Sequence, residues 1–398
     1  MALFKEVKKP VIKGGATGNG GVSQLRPRYV ERTPPCAAHC LHGNDVRDAL
    51  VTIAQAQAYG RTTAQALELA WKRITERQPF PAICGRVCQH PCEQACNRKE
   101  KDGAVSIHLV ERFLGDYAIA HGFKLEKAKA NAGRAVAVVG AGPAGLSCAY
   151  QLARRGYAVT VFEAAAKPGG MMRYGVPRGV LPGEVLDGEI ANLVAAGVEV
   201  RCGCAVGRDV SPDQLRRNYA AVFFAMGLQK PSQLALQREG DAAVVAGEMR
   251  AEVPDGAYAE PEQIDTRVVN TISPAIAQGR KVAEEIDAFL HGRDPEKQVA
   301  PPVIKAEQMK LGWYPAAPPH AEIPPEIQLS MTEAEATEEA KRCMSCGLCF
   351  DCETCWMYCS TNCFVKLPKG EHYKIKLELC NGCKKCAEVC PCGYIEMN

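Results

Sequence analysis

The chain has 398 residues, more than one hydrophobic core usually serves, so two or three domains are expected. Its 47% apolar and 23% charged residues are ordinary for a soluble protein, and a net charge of +3 is too small to indicate nucleic-acid binding. The N-terminus has no apolar signal segment, which argues against secretion. We therefore interpret the 21 cysteines as metal ligands in a reducing cytoplasm.

Residues 1–35 form a glycine-rich basic arm without apolar periodicity. Such a segment is expected to be extended, either loosely ordered or draped along another surface. A clasp for a partner subunit is the sharper of these interpretations. The arm carries six basic residues against Glu6 through position 28: Lys5, Lys8, Lys9, Lys13, Arg26 and Arg28.

Residues 36–130 have a helical pattern. Asn44 or Asp45 is a candidate cap for a helix through Ala58, Thr62 or Thr63 for another through Ile74, and Val105–Ala120 has helical spacing. Gly85 and Pro91 argue against one continuous helix over residues 82–96, so we predict a loop that wraps a metal centre there. Six cysteines lie in this domain: Cys36, Cys40, Cys84, Cys88, Cys92 and Cys96.

A nucleotide-binding unit begins the next domain, residues 131–291. A short buried strand over 135–139 leads into a G-x-G-x-x-G turn, a helix to Arg155 and a second strand that ends at the acidic Glu163. In this context the glycines let the backbone approach a pyrophosphate, and the acid binds a ribose hydroxyl. Residues 135–153 carry no charge and could be mistaken for a membrane span. The strand, turn and helix explain this uncharged run, so no membrane span is expected. The turn is formed by Gly140, Ala141, Gly142, Pro143, Ala144 and Gly145.

Residues 292–331 are proline-rich, which predicts a semi-rigid extended linker. Thr332 with Glu335 forms a capping box for a short helix that opens the last domain, residues 332–398.

The last domain carries two runs of C-x2-C-x2-C-x3-C, the pattern of a ferredoxin with two 4Fe-4S clusters in which the fourth cysteine of each run crosses to the other cluster. A zinc ribbon or a disulfide knot is the alternative, but zinc usually takes two separated pairs. We predict one cluster on Cys349, Cys352, Cys355 and Cys390, and the other on Cys359, Cys380, Cys383 and Cys386. Four cysteines stay outside this scheme, as a further metal site or as free thiols: Cys343, Cys346, Cys363 and Cys392.

The string PFPAICGRVCQHPCEQAC, residues 79–96, resembles the N-terminal iron-sulfur domain of the glutamate synthase small-subunit family. Family members carry two cubanes there and place a C-x2-C pair ahead of the first C-x3-C. Since no cysteine precedes Cys36, the resemblance implies a single cluster in this domain. Its implied ligands are Cys40, Cys88 and Cys92 with Glu111 as the fourth, unless Cys36 or Cys96 takes that place, and Cys84 is structural.

The same resemblance extends to the FAD half of the family. It implies that Gly169, Gly170 and Met171 pass under the flavin. Gly247 and Glu248 belong to the closing strand, and Thr271 and Ile272 would open a helix whose N-terminal amides face the flavin ring. The family's FAD-binding arginine is replaced by Val180, with Arg178 nearby.

The family's inserted NAD(P)H domain is missing from the sequence. Only about twenty residues separate Gly227 from Gly247, too few for a βαβ unit of about thirty. NAD(P) is therefore expected only where a domain missing from about 228–243 is present.

The C-terminal run from Cys343, together with the basic arm, is most similar to DsrL-type iron-sulfur flavoproteins. That resemblance implies an α/β multidomain oxidoreductase with a helical iron-sulfur domain, a Rossmann-like FAD domain and a two-cluster ferredoxin domain. Its implied cofactors are FAD and three 4Fe-4S clusters. Its implied partner is a reductase, dissimilatory sulfite reductase. The alternatives are a pure electron relay without a hydride site and a glutamate synthase small-subunit function, and a homodimer is possible.

Overall fold

The computed structural model describes residues 23–126, 133–227, 235–239, 242–246, 266–294, 300–324, 326–327, 329–368 and 370–398. It has the predicted α/β multidomain architecture, with a helical domain, a Rossmann-like domain and a cysteine-rich C-terminal domain. The longest described helix has 25 residues, and none of the described helices is long and apolar enough to span a membrane.

The described N-terminal part, residues 23–126, contains one short strand, six α-helices and two short 3-10 helices. The predicted caps are confirmed: the Asp45 carboxylate accepts the backbone N–H of Asp48, and Thr62 and Gln65 form a capping box. The elements are β1 (Pro27–Tyr29), α1 (Pro35–His39), α2 (Val46–Ala54), α3 (Thr63–Thr75), α4 (Pro81–Val87), α5 (Pro91–Gln94) and α6 (Ile107–Ala120).

The predicted loop over residues 82–96 is wrong in part, because α4 and α5 occupy much of it. Gly85 lies inside α4 because this helix crosses α6 closely: a Cβ on Gly85 would come 2.4 Å from the Arg112 backbone nitrogen. Pro91 is the first residue of α5, where its missing N–H costs nothing. Both residues looked like helix breakers, and both serve helices.

The Rossmann-like domain has a six-stranded sheet in the order β4-β3-β2-β5-β7-β6. Its strands are parallel except β6, which pairs antiparallel with β7. Helices α7 and α11 pack together against the sheet. The elements are β2 (Ala135–Val139), α7 (Pro143–Arg154), β3 (Ala158–Phe162), α8 (Met171–Tyr174), α9 (Gly183–Ala195), β4 (Val198–Arg201), α10 (Pro212–Asn218), β5 (Ala221–Phe224), β6 (Ala235–Glu239), β7 (Ala242–Ala246) and α11 (Thr266–Leu290).

The C-terminal domain begins with α12, whose predicted capping box between Thr332 and Glu335 is confirmed. Its remaining elements are short, as expected for a domain organised around its cysteines. Helix α12 spans Glu333–Ala340, and the elements after it are α13 (Thr354–Tyr358), β8 (Phe364–Lys366), β9 (Tyr373–Ile375), α14 (Lys385–Val389) and β10 (Ile395–Met397).

The described part of the basic arm lies on the chain's own C-terminal domain. Strand β1 pairs antiparallel with β10, so that Arg28 stands opposite Glu396. Beyond this pairing, Arg32 forms an ion pair with Glu396, and the backbone of Thr33 bonds to the linker at Pro302 and Ile304. Residues 23–33 therefore pack against this chain's own C-terminal domain and linker. The clasp for a partner subunit stays a prediction, and residues 1–22 lie outside the described residues.

A buried polar network fastens the start of the C-terminal domain to the helical domain. Arg342 pairs with Glu339 at 2.6 Å and with Asp102 at 3.3 Å. Arg98 pairs with the same Asp102 at 2.7 Å and donates to the backbone oxygen of Arg342 at 2.8 Å. Glu339 also accepts the backbone N–H of Ser106 at 2.7 Å. Because these charges are mutually satisfied, they fix the position of the chain immediately before Cys343.

Replacing Arg342 with alanine would leave Glu339 buried without its cation. We expect Arg342→Ala to lower the free energy of unfolding by about 3–5 kcal/mol, measured by chemical denaturation. The control is Lys341→Ala, since its partner Glu338 is exposed, and we expect a change below about 1 kcal/mol. Equal effects of the two variants would contradict the role assigned to the network.

The helical and Rossmann-like domains meet at Glu189 of α9. Its buried carboxylate accepts the backbone N–H groups of Ala82 at 2.7 Å and Ile83 at 3.2 Å, in the first turn of α4. Burial raises the pKa of Glu189 well above its ordinary value. The unfolded chain therefore releases this proton at a lower pH than the folded chain does.

Stability contributed by this carboxyl is present below its ordinary pKa and is lost as the pH rises towards the folded value. We expect wild type to lose more stability than Glu189→Gln between about pH 5 and about pH 8, measured by urea unfolding at each pH. Glu184→Gln, on an exposed residue of α9, serves as control and should keep the wild-type slope. A steeper loss in Glu189→Gln than in wild type would overturn the assignment.

Candidate functional site: a dinucleotide loop and four cysteine groups

The glycine turn between β2 and α7 is packed from two sides. A Cβ on Gly145 would lie 2.0 Å from the Gly140 carbonyl oxygen, and one on Gly140 would lie 2.5 Å from that of Ala225. Gly140 also has a φ of +105°, which favours glycine. Gly142 differs, since a Cβ there would meet nothing within 4 Å. The turn therefore leaves open space at Gly142, where Pro143 begins α7 and its free amides.

Glu163 follows β3 and turns towards the glycine turn. Its carboxylate accepts the backbone N–H of Ala141 at 2.7 Å and that of Ala165 at 2.8 Å. The structure thus places the predicted acid beside the predicted phosphate-binding loop, as the ribose-binding role requires.

The second glycine segment closes over the first. Gly169 donates to the Ala141 carbonyl oxygen at 2.8 Å, and a Cβ on Gly170 would lie 2.7 Å from the Gly142 Cα. Met171 is 43% exposed. The guanidinium of Arg178 lies against Gly183 at the start of α9.

The prediction that Thr271 and Ile272 open a helix is wrong, because α11 begins at Thr266. Pro274 lies inside α11, so the helix continues through this proline. Thr271 is exposed and donates to the Val268 carbonyl oxygen, whereas Ile272 is buried in the core. The free amides of the helix therefore precede these two residues. Gly247 and Glu248 lie outside the described residues.

A first cavity, the helical-domain cavity, is lined by Cys40, Cys88, Cys92 and Glu111. Glu111 accepts a hydrogen bond from Gln78 at 2.8 Å, and burial raises its pKa to about 8. The rest of the lining is mostly apolar. Three thiols with one carboxyl facing an apolar space fit a cubane whose fourth ligand is Glu111. Cys36 and Cys96, the other candidates, do not line this cavity.

Cys84 lies between the helical-domain cavity and α11. Its sulfur is 3.6 Å from His42 Nε2 and 3.9 Å from the hydroxyl oxygen of Ser273. Since His42 lines the cavity and Ser273 belongs to α11, this thiol joins the two domains in their packed interior.

Of the two predicted ferredoxin-type groups, the structure places the cysteines of the first around one cavity. The first group and Tyr29 of the arm line one cavity, the ferredoxin-type cavity. Cys392 also lines this cavity, with its sulfur 3.8 Å from that of Cys390. The hydrogen bond between these two thiols lowers the pKa of Cys390 to about 6. That cavity is formed by Cys349, Cys352, Cys355 and Cys390. In the second, Cys359 lies 3.2 Å from Cys363, sulfur to sulfur, and Cys383 is exposed at the surface. Burial, and after it the nearby charges of the other three thiols, raises the pKa of Cys386. The predicted members of this group are Cys359, Cys380, Cys383 and Cys386.

A third cavity, the strap cavity, brings together residues that the sequence interpretation left apart. It is lined by Cys36 and Cys96 of the helical domain and by Cys343 and Cys346, which follow α12. No local spacing links these two pairs, since more than 240 positions separate Cys96 from Cys343. The C-x2-C spacing of Cys343 and Cys346 is typical of half a metal site, but the pair that faces it, Cys36 and Cys96, lies in another domain.

Gly142→Ala tests the dinucleotide turn. Because its φ of −80° suits alanine and its Cβ position is open, we expect stability within about 0.5 kcal/mol of wild type but loss of bound dinucleotide. Flavin content per chain and denaturation midpoint measure the two effects. Gly145→Ala is the matched comparison, expected to lose both stability and flavin. Full flavin content in Gly142→Ala would contradict the site.

Two family profiles match the chain. One, described as dihydropyrimidine dehydrogenase domain II with a 4Fe-4S cluster, matches residues 30–123. The other, described as an NAD(P)-binding Rossmann-like domain, matches residues 138–197. Both cover regions where the structure has the corresponding domain.

Several curated proteins are similar over part of the chain. The NADP(+)-dependent formate dehydrogenase subunit beta of Moorella thermoacetica is 40% identical over 190 residues, 42% of this chain and 27% of that protein. The NADPH-Fe(3+) oxidoreductase subunit beta of Geobacter sulfurreducens is 33% identical over 53% of this chain and 31% of its own length. The glutamate synthase (NADPH) small chain of Bacillus subtilis is 37% identical over 42% of this chain and 35% of its own length.

The chain spans less than half of the length of each of these relatives. All three are named as oxidoreductases or as subunits of them. Over the matched part, the chain is therefore similar to the glutamate synthase small chain and to the beta subunits of formate dehydrogenase and NADPH-Fe(3+) oxidoreductase, and a region that matches a 4Fe-4S domain precedes one that matches a Rossmann-like domain.

Proposed function

We propose that this chain is an FAD- and iron-sulfur-dependent oxidoreductase subunit that passes electrons between a partner reductase and FAD. The observation that carries the proposal is the occurrence of thiol-lined cavities in the helical domain, next to α11 of the Rossmann-like domain, and in the C-terminal domain, which exposes Cys383. FAD exchanges electrons in pairs or singly, whereas cubanes carry one electron each.

The residues present fit these groups. Thiols line each cavity with apolar neighbours, which is the donor set that iron-sulfur clusters take. The open space at Gly142 and the carboxylate of Glu163 beside it suit a dinucleotide. The chain's own residues would hold these cofactors in fixed positions and exclude water from them.

The surface around Cys383, in the second ferredoxin-type group, is the proposed contact for the partner. Cys383 is exposed, and Lys384 and Lys385 follow it in the sequence. Basic side chains beside a surface cluster would attract an acidic surface on the partner. The resemblance of the C-terminal run to DsrL-type flavoproteins supports dissimilatory sulfite reductase as that partner.

A pure relay without a hydride site is the second candidate. Between β5 and β7 the chain has room only for β6, so no second nucleotide-binding unit fits there. In full-length relatives NAD(P) would be the final carrier. A glutamate synthase small-subunit function would instead require a glutaminase-bearing large subunit as partner.

Anaerobic flavin bleaching separates these candidates. We expect reduced dissimilatory sulfite reductase to bleach the flavin of the purified chain, whereas NADH and NADPH do not. Cys383→Ser should slow the bleaching at least about tenfold with unchanged flavin content, because it removes a ligand of the outermost cluster. Cys202→Ser, an exposed thiol of the Rossmann-like domain, is the control.

Three other outcomes of these measurements would support a different function or partner. Bleaching by NADPH at a comparable rate would show a hydride site in this chain. No bleaching by the sulfite reductase would overturn that partner, and complex formation with a glutaminase-bearing subunit would favour the glutamate synthase alternative.

A further inference from the structure

The strap cavity is lined by four free cysteines from opposite parts of the chain. Cys36 and Cys346 are each 9% exposed, and Cys96 and Cys343 are half-buried. Around them lie mainly apolar side chains, among them Leu50, Val105, Ile107 and Met344. Four thiols facing one another across an apolar space form a complete ligand set for a metal centre.

The two halves of this ligand set are fixed to each other by hydrogen bonds close to the thiols. Arg47 donates to the backbone oxygen of Cys346 at 2.9 Å. Arg98, two residues after Cys96, donates to the backbone oxygen of Arg342, the residue before Cys343. The cavity is therefore not a chance approach of two loose segments, because buried bonds define the position of both pairs.

The charge around the cavity suits an anionic group. Arg47 lines the cavity, is 3% exposed, and its Nε has no hydrogen-bond partner among the described residues. An unpaired buried donor is costly, so it indicates an acceptor or a negative charge nearby. A cubane with four thiolate ligands is anionic and would supply that charge.

The sulfur spacing distinguishes a cluster from a single metal ion. Tetrahedral zinc holds its sulfurs at about 2.3 Å, which brings them within about 3.8 Å of one another. Among the described residues, no three of these four sulfurs lie within 4.8 Å of one another. A cubane instead places one iron in front of each thiolate, so that the sulfurs stay further apart.

We propose that Cys36, Cys96, Cys343 and Cys346 bind a fourth 4Fe-4S cluster, which joins the helical domain to the C-terminal domain. Each thiol loses its proton as it binds iron. The strap cavity shares Leu50 and Ile107 with the helical-domain cavity. On its other side, Tyr314 donates to the backbone oxygen of Met344 and packs in the same core as Cys392 of the ferredoxin-type cavity.

The cluster would therefore stand between the ferredoxin-type clusters and the cluster of the helical domain. It replaces the expectation of one cluster on the N-terminal side with two, the second completed by the C-terminal segment. The inference concerns cofactor content and is independent of which partner protein exchanges electrons with the chain.

Iron, acid-labile sulfide and zinc per chain test the proposal on anaerobically purified protein. Four cubanes give about sixteen iron atoms, whereas the three clusters predicted from the sequence give about twelve. The double variant Cys343→Ser, Cys346→Ser should lose about four iron and four sulfide and keep its flavin, and the double variant Cys36→Ser, Cys96→Ser should lose the same four.

The variant with all four serines is the decisive comparison. Because one cluster is removed in each case, it should lose no more iron than either pair alone, and the reduced protein should lose one cluster's electron paramagnetic resonance signal. Cys202→Ser with Cys204→Ser is the matched control pair and should keep all iron. Flavin content and circular dichroism report whether each variant folds.

Several results would overturn the proposal. These are a wild-type content of about twelve iron atoms, one zinc atom per chain that the serine pairs remove, or additive iron losses from the two pairs. The wild-type measurement decides the question even where a variant fails to fold.

Discussion

The buried ion pairs that join Arg342, Glu339, Arg98 and Asp102 determine how the two cysteine-rich parts of the chain meet. Charges are costly to bury unless each has its partner, and here the partners come from both domains. A network of this kind tolerates little displacement, because a shift would leave a charge unpaired. It therefore specifies the orientation of the C-terminal segment more sharply than apolar packing alone would.

A second attachment joins the C-terminal domain to the segment before the helical domain. Strand β1 pairs with β10, and Tyr29 of β1 donates its hydroxyl to the backbone oxygen of Tyr373 at 2.7 Å. Tyr29 also lines the ferredoxin-type cavity. A small domain with short elements gains little from its own core, so the segment before the helical domain serves as part of its wall. Residues from both ends of the described chain thus line one thiol-rich cavity.

Local patterns in the sequence predicted the parts that depend on neighbouring residues. The caps at Asp45, Thr62 and Thr332 and the strand-turn-helix around Gly142 were predictable because each is decided within a few residues. The role of Gly85 was not predicted, because a side chain at this position would collide with the backbone of α6, which is distant in the sequence. The pairing of Cys36 and Cys96 with Cys343 and Cys346 was hidden for the same cause: it arises from the docking of two domains, which spacing does not encode.

Helix α4 connects the helical-domain cavity, a proposed cluster site, to the Rossmann-like domain. It packs against α6, which carries Glu111, and against α9 and α11 of the Rossmann-like domain. Its first turn is capped from the other domain by Glu189, and Cys88 follows its last residue. One short, fully buried helix therefore fixes a proposed cluster ligand with respect to α11. The rate of electron transfer depends on the distance between cofactors, so a rigid α4 would keep the distance between the helical-domain cavity and the Rossmann-like domain constant. The buried ion pairs hold the C-terminal domain at a fixed position in the same way.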